Sequence, residues 1–92
     1  MNVTVKAFAD LRELLGGELA ISVPEGSTVH YLLEILGRKY AGFLPKIMES
    51  GGPMRSYVSI LKNGRNIGSL DDLDTRLAEG DVIAIFPPLA GG

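Results

Sequence analysis

The chain has 92 residues, of which 46% are hydrophobic and 22% charged, so it is long enough for one globular domain and too short for two. Nine lysines and arginines against eleven aspartates and glutamates give a formal net charge of -2, which provides no general attraction to nucleic acid or to an anionic membrane. The lack of cysteine excludes disulfides, cysteine-ligated zinc and a thiol nucleophile within the chain.

The first part of the chain predicts two strands around a short helix. Residues 2–8 (NVTVKAF) alternate with the period of two that is typical of a half-buried strand, and residues 18–23 (ELAISV) form a second strand. Between them, residues 10–13 (DLRE) resemble a capping box with Asp10 as the N-cap acceptor, and the glycines at 16–17 end the helix. We expect the two strands to pair with each other.

The main helix is predicted to follow a cap at Ser27 or Thr28. Its apolar positions have the i, i+3, i+4, i+7 spacing that forms one stripe along a helix. This stripe consists of Val29, Leu32, Leu33 and Leu36. The opposite face carries His30, Glu34 and Arg38, which we interpret as a solvated polar surface. Gly37 is predicted to mark the frayed end of the helix.

Glycines and prolines interrupt the next segment, residues 41–55 (AGFLPKIMESGGPMR). We expect this segment to be a long, partly mobile excursion from the main fold. Four apolar residues in it could bury one short turn, namely Phe43, Leu44, Ile47 and Met48.

The last third of the chain predicts a hairpin, a helical turn and a closing strand. Residues 56–62 (SYVSILK) form a strand that enters a turn at Asn63-Gly64, where both positions tolerate a positive φ, and residues 65–67 return. Residues 71–77 (DDLDTRL) suit a single helical turn, and residues 81–86 (DVIAIF) form the last strand. That strand must end at the two prolines that follow it, because proline has no N–H for the sheet.

The predicted order of the main elements is therefore β, β, α, β, β, β, which resembles the β-grasp fold of ubiquitin-like proteins. We expect an α+β protein with a mixed sheet of four to five strands, covered on one face by one main helix. Residues 1–92 are expected to form this single domain, with residues 88–92 as a flexible C-terminal tail. The sequence has no apolar run of roughly 18 residues and no signal-like start, so we expect a cytoplasmic location.

Motifs at both ends of the chain are similar to those of one family. Residues 8–14 (FADLREL) resemble the FAxLREL opening of the molybdopterin synthase small subunit. Asn63-Gly64, residues 74–82 (DTRLAEGDV) and residues 86–92 (FPPLAGG) are similar to the later motifs of that family, which ends in FPPxxGG. The chain thus resembles the ThiS–MoaD-type ubiquitin-like sulfur carriers, which include archaeal small modifier proteins. The match covers nearly the whole chain and leaves out residues 41–55, which shorter members lack.

The resemblance implies a chemistry for the C-terminus. An E1-like adenylating enzyme would use ATP to adenylate the carboxylate of Gly92, and sulfur would then displace AMP to leave a thiocarboxylate. The large subunit of molybdopterin synthase is the second partner that the resemblance implies. No glycine pair in the chain precedes Lys-Ser or Lys-Thr, so the chain lacks a phosphate-binding loop and its partner must bind the ATP. We expect this chain to bind no cofactor and no metal.

The predicted tail is stiff at its base and slender at its tip. Prolines hold φ near -65° and keep the base extended. Glycines lack a Cβ, so the last two residues can enter a channel too narrow for other side chains. The tail comprises Pro87, Pro88, Leu89, Ala90, Gly91 and Gly92.

The face of the sheet away from the main helix supplies a candidate partner-binding patch. Alternation turns one set of strand residues toward the helix, namely Val3, Val5, Ile83 and Ile85. The other set faces outward and is joined by a residue next to the hairpin turn, so the predicted patch comprises Phe8, Leu61, Val82, Ala84 and Phe86. As an alternative, Phe8 and Phe86 would form a second small core under residues 41–55.

Other reactive side chains have structural interpretations. His30 lies on a polar helix face without partners for a catalytic triad. Three nearby aspartates, Asp71, Asp72 and Asp74, lack the glycine and the distal glutamate of a calcium loop, so we place them at a helix N-terminus. Arg12 is expected to form a local ion pair or cap. We find no catalytic residue in the sequence apart from the C-terminal carboxylate.

Three functions remain open from the sequence and the resemblance. The first is a sulfur carrier that delivers the Gly92 thiocarboxylate sulfur to the large subunit for molybdopterin synthesis. The second is a protein modifier that forms isopeptide bonds between Gly92 and lysines of target proteins. The third is a β-grasp adaptor that binds a partner through its sheet and never uses the C-terminus chemically.

Overall fold

The computed structural model describes residues 1–87, and five strands and three α-helices form in this part of the chain. The elements are β1 (Asn2–Ala7), α1 (Asp10–Leu15), β2 (Glu18–Ser22), α2 (Val29–Lys39), α3 (Phe43–Ile47), β3 (Ser59–Lys62), β4 (Arg65–Asn66) and β5 (Val82–Phe86). Short 3-10 turns lie at Ile67–Ser69 and Asp72–Asp74. The predicted order of strands and main helix is confirmed. None of the described helices is long and apolar enough to cross a membrane.

The five strands form one mixed sheet in the order β2-β1-β5-β3-β4. The two central strands, β1 and β5, are parallel, with Val5 opposite Ile83, and all other neighbours are antiparallel. The predicted pairing of the first two strands is confirmed, with Val3 opposite Ile21. This sheet and the helix packed on it form the ubiquitin-like β-grasp fold expected from the sequence.

The core lies between the sheet and α2. All four residues of the predicted apolar stripe of α2 are 0% exposed. They pack with the inward residues of the central strands, Val3, Val5, Ile83 and Ile85. Burial of each such side chain contributes roughly 1.5–3 kcal/mol relative to its exposure. Thr28 caps α2, because its Oγ1 accepts a hydrogen bond from the Tyr31 backbone N–H at 3.2 Å.

Two local predictions at helix ends are wrong. Asp10 is the first residue of α1 and caps nothing, since the N-cap is Ala9 and no side chain accepts a hydrogen bond there. The Asp10 carboxylate instead pairs with Lys46 of α3 at 2.9 Å. Gly37 does not end α2, which continues to Lys39. A Cβ at Gly37 would lie 2.7 Å from two side-chain carbons of Leu44, so this glycine allows α3 to pack against α2.

The other predicted elements form with shorter bounds. β3 begins at Ser59, because the backbone N–H of Val58 is used in a turn that bonds it to the Arg55 carbonyl at 3.0 Å. β4 ends at Asn66, whose side chain accepts from the Gly68 backbone N–H at 2.8 Å and so starts the 3-10 turn. The helical turn predicted over residues 71–77 is a 3-10 turn of three residues.

Residues 41–55 contain α3 and lie on the helical side of the sheet. Phe43 and Ile47 of α3 are fully buried, which confirms the short buried turn expected here. After α3, Met48 and Met54 form an isolated antiparallel bridge that closes the loop between them. α3 packs against α1 and α2, so this segment thickens the helical layer rather than covering the outer face of the sheet.

Candidate functional site

The outer face of the sheet carries an apolar patch, which we call the open-face patch. Its members are Phe8, Leu61, Val82, Ala84 and Phe86, and each is partly exposed. Along β5 these residues alternate with Ile83 and Ile85, which are 0% exposed on the α2 side. Leu61 lies directly opposite Ala84 in the pairing of β3 with β5. The structure therefore brings all five predicted residues to one face.

The aromatic rings of Phe8 and Phe86 stack on each other at the end of this face. Their centroids are 4.2 Å apart and their planes differ by 10°. Such pairs contribute about 0.5–1.5 kcal/mol beyond the area that they bury. The alternative in which residues 41–55 cover the two rings is wrong, because that segment packs on the helical layer. The pair forms a partly exposed apolar surface at this end of the described sheet.

The position of Phe8 is set by a sharp turn directly after β1. Ala9 has φ 54° and ψ -134°, a backbone conformation that residues other than glycine rarely adopt. The turn is closed by the Leu11 backbone N–H, which donates to the Phe8 carbonyl at 3.2 Å. Because β1 and β5 run parallel, Phe8 and Phe86 meet at the same end of the sheet.

The C-terminal segment continues from this end of β5. Pro87 is buried, so the base of the predicted tail is anchored in the domain. Residues 88–92, and with them the roles expected of Pro88, Leu89, Ala90, Gly91 and Gly92, lie outside the described part of the chain. The Phe8 and Phe86 end of the open-face patch and the start of the C-terminal segment thus lie at the same end of the sheet.

A buried carboxylate holds the beginning of β5 at the opposite end of the strand. Asp81 is 7% exposed and accepts hydrogen bonds from Asn63 Nδ2 at 2.9 Å and from the Ala78 backbone N–H at 2.7 Å. The Asn63 side-chain oxygen also accepts from the Val82 backbone N–H at 2.8 Å. Lys62 Nζ lies 3.6 Å from the Asp81 carboxylate. These groups satisfy one another, so the cluster is structural.

Other charged groups among residues 1–87 form ion pairs on the surface. His30 lies 3.3 Å from Glu34, and Glu34 lies 3.8 Å from Arg38, on the exposed face of α2. Within the described chain, no three acidic or histidine side chains are grouped to hold a metal. The predicted ion pair or cap at Arg12 is not found within that range.

Sequence patterns missed one exposed aromatic residue near the open-face patch. Tyr57 is 71% exposed, the one large hydrophobic residue so exposed among those described. It precedes β3 by two residues, and the first residue of β3, Ser59, lies opposite Phe86. The sequence did not indicate the exposure of Tyr57, because all of residues 56–62 have a strand-like composition.

Comparisons with known proteins agree with this fold and this C-terminus. The model of the ThiS family matches residues 5–92. Small archaeal modifier protein 3 of Haloferax volcanii is 36% identical over 93 residues, and the sulfur carrier protein CysO of Mycobacterium tuberculosis is 33% identical over 94, with 100% of both chains covered in each case.

A solved structure from Pyrococcus furiosus, described as a candidate molybdopterin converting factor, subunit 1, superposes with a TM-score of 0.77. It is 32% identical, and the match covers 97% of this chain and 99% of that one. Both sequence and architecture are therefore shared along almost the entire length.

Proposed function

This chain belongs to the ThiS family of ubiquitin-like sulfur carriers and small modifier proteins, and on that premise we propose that its Gly92 carboxylate is activated by an E1-like enzyme. In this scheme a carboxylate oxygen attacks the α-phosphorus of ATP and pyrophosphate leaves. A sulfur nucleophile from a donor then attacks the carbonyl carbon, and AMP leaves to give a thiocarboxylate. The chain supplies the carboxylate, and the partner supplies the ATP site.

The observation that carries this proposal is the stacked pair of Phe8 and Phe86 on an open face beside the start of the C-terminal segment. Ordering the tail of residues 88–92 in a partner costs on the order of 5–10 kcal/mol, at roughly 1–2 kcal/mol per residue. Burial of about 400 Å² of apolar surface returns roughly 10 kcal/mol before the costs of association. The domain must therefore dock for the tail to be held, and the open-face patch offers that surface.

As the acceptor of the sulfur we propose the large subunit of molybdopterin synthase, where the thiocarboxylate would supply sulfur to a pterin precursor. Support comes from the FPPLAGG ending of residues 86–92, which resembles the small subunit of that enzyme. The similarity to a P. furiosus chain described as a candidate molybdopterin converting factor subunit adds to it.

A second candidate function is protein modification, with Gly92 joined to lysines of target proteins by isopeptide bonds. It is favoured by the full-length similarity to small archaeal modifier protein 3 of H. volcanii, at 36% identity. Both functions use the same activation and differ in the nucleophile that attacks the activated carbonyl. A non-conjugating adaptor is the third alternative, in which the carboxylate is never activated.

Intact-mass measurement separates these functions. The adenylating enzyme is first isolated from the protein's own cells by capture on the immobilised protein in the presence of ATP. The free protein is then incubated with this enzyme, ATP and a sulfide donor. Replacement of one oxygen by sulfur supports the carrier, and Gly92-linked adducts in extract support the modifier. Unchanged mass under conditions that thiocarboxylate a known carrier would overturn both in favour of the adaptor.

A further inference from the structure

We propose that a cationic cleft beside Phe8 is a second recognition subsite, which binds a carboxylate side chain of the partner protein that docks on the open-face patch. This inference rests on the proposed function, because it assigns an orienting role in the same docking event. The cleft has a volume of about 350 Å³. It is lined by Lys6, Phe8, Arg12, Gly17 and Glu18, together with Ala7 and Gly16.

Two backbone segments form the walls of the cleft. One wall is the end of β1, and the other is the turn between α1 and β2. The Ala7 backbone N–H donates to the Gly17 carbonyl at 2.7 Å and ties the two walls together. Lys6 and Glu18 are directly opposite each other in the pairing of β1 with β2, so both side chains project to the same face.

The Arg12 side chain lies across Gly17. A Cβ built on Gly17 would lie 3.5 Å from Arg12 Nε, 3.6 Å from Cγ and 3.8 Å from Cζ. Gly17 also has φ +86°, which disfavours other residues. Gly17 therefore leaves room for the Arg12 side chain, which passes beside it at the cleft while Arg12 as a whole remains exposed.

The turn at Ala9 explains how Arg12 reaches the same cleft as Phe8. With φ 54° and ψ -134°, Ala9 reverses the chain, and the Arg12 backbone N–H donates to the Ala9 carbonyl at 3.0 Å. Backbone strain of this kind in a non-glycine residue persists only where the surrounding structure imposes it. The strained turn places the aromatic ring and the guanidinium group on one side of the sheet end.

The charge of the cleft is opposite to that of the whole chain. Lys6 and Arg12 contribute two positive charges against the single carboxylate of Glu18, whereas the whole protein has a net charge of -2. Neither cation forms an ion pair with another residue in the range 1–87. The three charged side chains of the cleft therefore give it a formal charge of +1, and its two cations carry N–H donors for an anion.

The position of the cleft beside Phe8 favours a protein carboxylate over a nucleotide, although a guanidinium group binds carboxylate and phosphate alike. The guanidinium fork matches a carboxylate through two parallel hydrogen bonds. The cleft is shallow and continuous with Phe8 of the open-face patch, so whatever covers the patch also reaches the cleft. Its occupant is thus an aspartate or glutamate on the docked protein, and its role is to set the angle at which the domain sits on that protein.

Charge-neutral variants with matched controls test the proposal. Arg12→Gln and Lys6→Gln remove the two cations of the cleft, while Arg65→Gln on β4 and Lys39→Gln at the end of α2 make the same change of net charge elsewhere. The measurement is the apparent affinity of the adenylating enzyme, from thiocarboxylation rates between 50 mM and 500 mM salt. We expect about tenfold weaker binding for Arg12→Gln, about threefold for Lys6→Gln, and flatter salt dependence for both. The controls should stay within about twofold.

Equal apparent affinities of the cleft variants and the controls for the adenylating enzyme would overturn the subsite. Loss of thiocarboxylation in Phe86→Asp alone would be consistent with the proposed function. Lack of thiocarboxylation of the unaltered protein would instead overturn the proposed function.

In either case a tetraglutamate peptide tests the subsite directly by NMR titration. The peptide should shift the amide signals of Arg12, Gly16 and Gly17 in the unaltered protein and not in Arg12→Gln. Equal shifts with inorganic phosphate, or shifts scattered over the surface, would overturn recognition of a protein carboxylate.

Discussion

The two faces of β5 carry similarly apolar side chains but differ in burial. Ile83 and Ile85 are completely buried against α2, while Val82, Ala84 and Phe86 remain partly exposed on the other face. Hydrophobicity alone therefore does not distinguish residues that stabilise the fold from residues that are proposed to bind a partner. The difference is that Ile83 and Ile85 pack with the buried residues of α2 in the core, whereas Val82, Ala84 and Phe86 lie outside that core.

The strongest test of this comparison is a change beyond the end of β5. Deletion of Gly92, or addition of one residue after it, is expected to abolish activation, because the reacting carboxylate would no longer reach the α-phosphate of ATP. Neither face of β5 is altered, so the thermal midpoint should stay within about 2 °C of the unaltered value. Intact mass and thermal unfolding are the two measurements. Normal thiocarboxylation of the extended protein would remove the C-terminus from the mechanism.

The next largest effect is expected on the covered face. Ile85→Ala removes buried carbon from the core and leaves a cavity, so the free energy of unfolding should fall by roughly 2–5 kcal/mol. Urea denaturation followed by circular dichroism measures this loss. A loss below about 1 kcal/mol would mean that Ile85 is less tightly enclosed than its 0% exposure indicates.

The matched change on the open face is Phe86→Asp. It removes the stack with Phe8, so partner binding should weaken by more than about 1 kcal/mol, while the fold is kept. Titration of the adenylating enzyme by calorimetry gives the binding term, and urea denaturation gives the stability term. Unfolding of Phe86→Asp would assign this residue to a core and end the distinction between the two faces.

A smaller effect is expected where α3 meets α2. Gly37→Ala adds a methyl group 2.7 Å from Leu44 carbons, and overpacking of this kind costs about 1–3 kcal/mol. The higher helix propensity of alanine returns about 1 kcal/mol, so the net loss of unfolding free energy should be about 1 kcal/mol. The double variant Gly37→Ala with Leu44→Ala should recover the clash component. Stabilisation by the single variant would show that Leu44 moves aside freely.

The smallest effect is expected on the polar face of α2. His30→Gln removes an exposed partner of Glu34 at 3.3 Å, and pairs of this kind are worth less than about 0.5 kcal/mol. Stability and activation should both stay within error of the unaltered protein. A marked loss of activation would place a functional surface on α2, away from the open-face patch.

Most of the fold was predictable from the sequence, because its signals are local. The stripe of α2, the alternation of β1 and β5, and the turn at Asn63-Gly64 arise from residues close together in the chain. The wrong predictions concern residues whose partners lie in another element, α3. Asp10 bonds Lys46 instead of capping α1, and Gly37 serves the approach of Leu44 instead of ending α2.

The candidate site divides in the same way. Strand alternation and the hairpin turn together predict all five residues of the open-face patch. The C-terminal motif is visible directly in the sequence. The cleft at Arg12 is not, because a helical arginine has no signal that tells which way its side chain folds. Its placement across Gly17 depends on the turn at Ala9 and on the pairing of β1 with β2.

The sequence by itself determined the element order, the inward and outward faces of the strands and the identity of the C-terminal residues, since periodicity and turn chemistry act between neighbours in the chain. Tertiary structure decided that Phe8 stacks on Phe86, that Asn63 and Asp81 satisfy each other, and that residues 41–55 join the helical layer. These contacts join separate elements of the fold, so no pattern among neighbouring residues indicates them. The first of them depends on the parallel pairing of β1 with β5, which brings Phe8 and Phe86 to the same end of the sheet.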